Sequence, residues 1–269
     1  MINLVENELS ESGLPPLIRK LNFIQSLTVN EIALLMKMHE KIISIDERKI
    51  ILDQGDTHTK SYIINEGWAY RYNDLSNGNR QIINYYLPGD IISPFALVMP
   101  KTPYAVASLT SLKLSVFKPE ILVQLFTMQP KLGLLYGWIL GREDSIVAEQ
   151  VVRIGRRSAY IRTAHLLLEF FHRLKIIGET ENKTFSLPIT QHLLADTLGL
   201  SLVHMNRTLK KLTIDKLIKI SSNEISLLDY EKIKQITEFE LSYLEQIKKL
   251  SIIPDDRTDR LQFNPPTAA

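Results

Sequence analysis

The sequence has 269 residues, of which 45% are hydrophobic, enough to bury a core in each of two domains. It contains no cysteine, which excludes disulfides, thiolate zinc sites, cysteine-ligated iron–sulfur clusters and a cysteine nucleophile in one step. The formal net charge of +2 does not mark the whole chain as a polyanion binder. No stretch approaches the ~18 uncharged apolar residues of a membrane span, and the start MINLVENELSESG has neither the basic flank nor the apolar run of a signal peptide. A cytoplasmic chain with no membrane partner is expected.

Residues 15 to 41 carry Leu17, Leu21, Ile24, Leu27, Ile32, Leu35 and Met36 at helical spacing. From about 42 to 117 the texture changes to short runs rich in Ile, Tyr, Val and Trp. Turn signals break them: DQGD at 53–56, NEG at 65–67, SNGN at 76–79 and LPGD at 87–90. Asn77-Gly78 between WAYRYNDL and RQIINYYL predicts a hairpin with a type I′ turn, and the region as a whole predicts a β-sandwich or barrel. Tyr62, Trp68, Tyr70, Tyr72, Tyr85, Tyr86 and Tyr104 alternate as cross-strand core aromatics do, in preference to lining a ligand pocket.

From Pro119 to about 177 the period is helical again. The long segment KLGLLYGWILGREDSIVAEQVVRIGRR places apolar residues at 132, 135, 138, 139, 146, 147 and 151. A helix of that length beside a small β-domain is expected to bury its stripe on the same helix of a second subunit, giving a homodimer; the alternative is packing on its own domain. Gly155 precedes RRSAYIRTAHLLLEFFHRL, so 155–158 reads as hinge and domain boundary. His165 and His172 share a face of this second helix but lack a third ligand, and His39 and His192 show no metal spacing either.

FSLP at 185–188 predicts a short strand. After it, TQHLLADTLGLSLVHMNRTLKKL reads as two helices about a glycine, with Thr190 and Ser201 as N-caps and Gly199 in the turn. Leu193, Leu194, Ala195, Leu198 and Leu200 read as core. In the second run Val203 or Met205, Leu209 and Leu212 face inward, which leaves His204, Asn206, Arg207, Lys210 and Lys211 facing outward. Five basic residues (Arg207, Lys210, Lys211, Lys216, Lys219) follow the glycine. A serine-capped helix with an arginine two turns on has the chemistry of a recognition helix. The serine and backbone amides hold a phosphate, and Arg207 donates both guanidinium hydrogens to guanine O6 and N7. KLIKISSNEISLLDYE at 216–231 then reads as strand, turn at Ser222-Asn223, strand, which makes the unit a winged helix. Residues 229–251 predict a further amphipathic helix, and IPDDRTDRLQFNPPTAA a disordered tail.

This order of parts resembles the Crp/Fnr superfamily of transcription regulators over about residues 20 to 230. The resemblance is carried by ILDQGDTHTKSYIINEGWAYRY, by LPGDII and by LPITQHLLADTLGLSLVHMNRTLKKL with LIKI after it. It implies an α+β fold with four parts: a cyclic-nucleotide-binding-like β-roll over 15–130, a dimerisation helix and hinge over 131–157, a winged helix-turn-helix over 158–231, and a C-terminal helix and tail over 232–269. It implies double-stranded DNA as partner, RNA polymerase as a further one, and a DNA-contacting set of Thr190, Gln191, Ser201, Leu202, Val203, His204, Asn206, Arg207, Lys210 and Lys211. The family's base-reading positions fall on Leu202, Val203 and Arg207. Arg207 matches, whereas Val203 stands where many relatives carry a glutamate that accepts from a cytosine amino group, so the familiar half-site is not implied.

In the family's cyclic-nucleotide binders a glutamate holds the ribose and an Arg-Ser pair the phosphate. Pro94 and Thr102-Pro103 stand at those positions here, with Lys101 the nearest cation, so cAMP is not expected and any small effector is unknown. His58, in the GDTHTK loop, is the one histidine of the β-region available to ligate a haem, and it reads as a solvated surface group. No cofactor and no metal are expected. No phosphate-cradling glycine loop, nucleophile elbow or HExxH occurs, which argues against an enzyme. The rival reading is an effector-binding or protein-interaction adaptor that does not act through DNA.

Overall fold

In the computed structural model of the protein, residues 13–94, 96, 98–99 and 101–245 are described. Two helices, α1 (Pro16–Ile24) and α2 (Val29–Met36), and a 3-10 turn (Lys37–His39) replace the single helix expected over 15–41. The chain breaks between them because the Thr28 hydroxyl accepts from the Glu31 amide while the Glu31 carboxylate accepts from the Thr28 amide, a capping box that starts a new helix.

Eight strands follow: β1 (Ile42–Ile45), β2 (Ile50–Leu52), β3 (Ser61–Glu66), β4 (Ala69–Asp74), β5 (Arg80–Tyr86), β6 (Ile91–Ile92), β7 (Ala105–Ser108) and β8 (Leu112–Phe117). They form two four-stranded sheets, β1-β8-β3-β6 and β2-β7-β4-β5, all pairings antiparallel. The β4–β5 hairpin forms as expected, but its turn is not type I′. Gly78 has φ +83° while Asn77 keeps a negative φ, and the Gly78 amide donates to the Leu75 carbonyl (2.9 Å). At the LPGD turn Gly89 has φ +82°, and a Cβ there would lie 2.9 Å from the Pro16 carbonyl carbon, so the glycine admits the start of α1.

The helical half comprises α3 (Ile121–Met128), α4 (Pro130–Arg156) and α5 (Ala159–Lys175). After these come the hairpin β9 (Thr180–Glu181)–β10 (Thr184–Ser186), then α6 (Gln191–Leu198) and α7 (Leu202–Ile214), the wing β11 (Ile218–Ser221)–β12 (Glu224–Leu227), and α8 (Tyr230–Thr237) and α9 (Ser242–Glu245). The third sheet has the order β11-β12-β10-β9. The double positive φ of a type I′ turn occurs here, at Asn182 (+46°) and Lys183 (+61°). The helix expected over 229–251 is broken at Glu238, whose φ of +51° ends α8; residues 246–251 and the expected tail lie outside those described.

One hydrophobic interior joins the halves. Trp68 and Tyr85 of the β-roll each lie 5.4 Å, centroid to centroid, from Phe170 of α5, which in turn packs with Leu166, Leu167 and the winged domain's Leu194, Leu198, Met205 and Leu212. Of the β-region aromatics expected in the core, Trp68, Tyr70, Tyr72, Tyr85 and Tyr86 are buried, while Tyr62 and Tyr104 are half-buried and pack against its edge. Beside this interior lies a buried charge cluster centred on Asp90. Its carboxylate accepts from Lys20 of α1, from Arg173 of α5 (2.9 Å) and from the Leu87 amide (2.7 Å), with the Arg142 guanidinium of α4 at 3.8 Å. Burial alone would push that carboxyl up, but Lys20, Arg173 and Arg142 outweigh it and hold Asp90 below the usual carboxylate range.

Candidate nucleic-acid interface

The two helices of the opening motif are fixed by caps and one turn. Thr190 accepts from the Leu193 amide at the start of α6, and Ser201 from the His204 amide at the start of α7. Gly199 ends α6 in the left-handed region (φ +59°), and the Leu200 amide donates back to the Ala195 carbonyl (3.0 Å), so three residues suffice to turn the chain.

Helix α7 then sorts its side chains. Met205, Leu209 and Leu212 are buried in the shared interior, and Thr208 joins them because its hydroxyl donates to the His204 carbonyl (2.9 Å). Ser201, Leu202, Val203, His204, Asn206, Arg207, Lys210 and Lys211 are exposed, as are Thr190 and Gln191 at the head of α6. Val203, one of two inward candidates on sequence grounds, is 60% exposed, so Met205 fills the inward position.

A groove runs between α7 and the N-terminus of α5. Ser201, Val203, His204, Arg207 and Lys211 line one side, and Ser158, Ala159 and Tyr160 the other. Of the ten expected contacts the structure brings these five together on the groove. Leu202, Asn206 and Lys210 lie elsewhere on the exposed side of α7, and Thr190 and Gln191 stand apart at α6. The α5 side was missed in the sequence because it lies more than forty residues upstream, and its one signal, a serine after two arginines, read only as a hinge. Helix α4 runs on through Gly155 and Arg156, so the link to α5 is shorter than the expected 155–158, at Arg157 and Ser158. Burial first and the Asp215 carboxylate second push the Tyr160 phenol up to about 12; it donates to Asp215 (2.6 Å) and carries the Lys211 ammonium over its ring at 5.1 Å.

The motif is anchored from behind through Thr197 of α6. Its carbonyl accepts from Gln150 of α4 (2.7 Å) and Gln81 of β5 (3.2 Å), and its hydroxyl pairs with Tyr85 (2.7 Å). In the β-roll, Pro94 presents its carbonyl to the Tyr136 hydroxyl (2.7 Å), Thr102 is buried and donates to the Tyr104 carbonyl (2.8 Å), and Lys101 is exposed. His58, expected as a solvated group, is half-buried and paired with Ser93. His165 and His172 lie buried against Phe239, the first tilted at 51° and the second stacked at 14°.

Helix α4 departs from expectation. Leu132, Leu135, Ile139 and Ile146, four residues of the stripe assigned to a partner, are buried within the chain, while Arg142, Gln150 and Arg153 follow on the same side. Trp138 and Val147 are half-buried, and Val151 alone of the stripe is exposed. The free face is a different one: Leu134, Gly137, Gly141, Asp144, Ala148, Val151 and Gly155, alternating three and four residues apart. A Cβ at Gly137, Gly141 or Gly155 would meet nothing within 4 Å in the chain.

Residues 42–128 match the model of the cyclic nucleotide-binding domain, and residues 161–236 that of the Crp-like helix-turn-helix domain. The chain is 30% identical to the transcriptional activatory protein AadR of Rhodopseudomonas palustris over 184 residues, covering 68% of this chain and 75% of that protein. It is 27% identical to the nitrogen fixation regulation protein FixK of Bradyrhizobium diazoefficiens over 186 residues, 69% of this chain and 77% of that one. Among solved structures, FixK2 from Bradyrhizobium japonicum superposes with a TM-score of 0.66 at 21% identity, over 73% of this chain and 96% of that one, a likeness of fold.

Proposed function

This chain belongs to the Crp/Fnr family of DNA-binding transcription regulators, and on that premise we propose how its own residues read DNA. Two copies pair through α4 and present two α7 helices to successive major-groove segments of an imperfect palindrome, with half-sites about 34 Å apart. The observation that carries this is the sorting of α7: Met205, Leu209 and Leu212 hold it to the core, while its whole opposite side is exposed beside a cationic groove.

Ser201, Ser158 and the backbone amides at the heads of α7 and α5 take phosphates, and Lys210 and Lys211 add screened attraction. Thr190 and Gln191 contact the flanking backbone. Arg207 reads guanine through O6 and N7, Val203 and Leu202 offer apolar contact to a thymine methyl, and His204 and Asn206 complete the readout. The exposed three-four seam of small residues on α4 supports the dimer, since small side chains let two helix backbones approach. The functional division is a sensor-like β-roll over 15–130, a dimerisation helix and hinge over 131–157, a winged helix-turn-helix over 158–231 and a C-terminal segment from 232. A cytoplasmic location and contact with RNA polymerase follow from the role. cAMP is not the effector: a proline carbonyl and a self-satisfied threonine stand where ribose and phosphate need a carboxylate and a guanidinium.

The test is a gel shift on duplex sites selected from a random library. Wild type binds with an affinity that falls steeply with salt. Arg207→Ala costs about 1–3 kcal/mol and relaxes preference at one base position; unchanged affinity and consensus sink this reading.

A further inference from the structure

We propose that residues 239–245 are a strut that fixes the winged helix-turn-helix domain to α4 and thereby sets the distance between the two recognition helices; this rests on the DNA-binding reading above. The Crp-like helix-turn-helix match ends at residue 236, so these residues lie past it. They are nonetheless built into the molecule. Glu238 adopts φ +51°, uncommon for a residue with a Cβ, and turns the chain back onto α5.

Phe239 then enters a slot between two imidazoles, its ring centroid 4.8 Å from His165 and 5.3 Å from His172, nearly parallel to the latter at 14°. The seven-residue spacing of these histidines places two rings on one face of α5 to hold a third. Between them, Glu169 accepts from the Tyr243 hydroxyl (3.0 Å) and from Arg153 of α4. The carbonyl of Leu244, itself fully buried, accepts from Arg142 of α4 (3.1 Å), whose guanidinium also faces Asp90 and Glu143. The segment therefore grips α5 at three successive turns and α4 at one buried arginine. The covalent link between those helices is only the extended pair Arg157 and Ser158; α4 also meets the domain through Arg153 at Glu169 and Gln150 at the Thr197 carbonyl, Arg173 and Thr197 tie the domain to the β-roll, and the segment adds a further bond to α4 from beyond the family match. A segment that merely covered apolar surface would need no bond to α4. This one bridges both elements whose angle decides where α7 points.

The test uses the full chain carrying Phe239→Ala with Tyr243→Phe. On a palindrome selected by wild type, lengthening or shortening the central spacer by one base pair rotates one half-site against the other; wild type loses about tenfold or more in affinity, and the variant about threefold or less. A folded variant that discriminates as sharply as wild type overturns the strut. A second arm needs no DNA. The sequence has no cysteine, so Arg48→Cys with Lys210→Cys places a dye pair between β-roll and recognition helix. Single-molecule energy transfer is expected to be narrow with the strut and broadened without it, and Tyr243→Phe alone serves if the double variant does not fold. Identical distributions overturn the proposal. If wild type selects no DNA, the DNA-binding reading fails and the energy-transfer arm still decides the strut.

Discussion

Val203 stands on the leading turn of α7 with 60% of its surface exposed. An aliphatic side chain there discriminates only by contact with a thymine methyl, whereas a carboxylate accepts from the cytosine amino group. Val203→Glu is therefore expected to bring a C·G pair into the consensus at one position of each half-site, favoured by about 1–3 kcal/mol. An unchanged consensus in a repeated library selection would show that Val203 does not face a base. At this scale the sequence was informative wherever period and chemistry agreed. Outward Arg207 and inward Leu209 and Leu212 follow from helical spacing alone. Thr208 did not, because its burial depends on a bond from its hydroxyl to the His204 carbonyl, and such local back-bonding leaves no trace in hydropathy. Ser158 and Tyr160 escaped for another reason: a groove between helices distant in sequence is made by tertiary packing.

Helix α4 shows what periodicity misses in an element. A hydropathy pattern marks the large apolar side chains, and in α4 those face the chain's own β-roll and α3. The seam left free is marked instead by Gly137, Gly141, Ala148 and Gly155, whose small size is the signal and whose hydropathy is weak. Gly141→Leu fills no space within the chain, so the monomer fold is expected to survive while dimer dissociation rises by about tenfold or more, because close helix approach is lost. Analytical ultracentrifugation reads this directly; an unaltered dimer would place the seam elsewhere. Turns teach the same lesson. Asn-Gly at 77–78 is the stronger hairpin signal, yet the doubly positive turn sits at Asn182-Lys183, in the two-residue connection between β9 and β10. The Asn77-Gly78 connection spans five residues, too long for a two-residue type I′ turn. The break at Glu238 was equally hidden, since no glycine or proline announces it.

Over the whole molecule, buried titratable groups set the pH range. Burial pulls His39 and His172 down to about 4, and burial followed by the Arg153 and Arg157 charges takes His165 lower still. Around His172 stand Tyr230, Lys175, Lys234 and Glu245; around His165 stand Glu149, Glu169, Arg153, Arg157 and Tyr243. Between pH 6.5 and 4 the unfolded chain binds protons at these histidines that the folded chain refuses. Stability is thus complete above about 6.5 and falls as pH drops toward 4, by about 1–3 kcal/mol per histidine. Urea titrations should show the midpoint declining over that interval, and His39→Gln with His172→Gln should make the decline shallower, His165 remaining; a midpoint level from pH 7 to 4.5 in wild type contradicts the burial argument.

The domain order was legible from the sequence, but the seamlessness between domains was not. Trp68, Tyr85 and Phe170 make one interior of what reads as two units, so a cut at 157–158 does not separate self-sufficient modules. Recombination that swapped the DNA-reading half between two such regulators would leave an apolar wall facing water on each fragment and strand the charges around Asp90. A change of operator is therefore expected from point substitution on the outward side of α7 at positions such as Val203, exposed to solvent, while the junction behind them stays as it is.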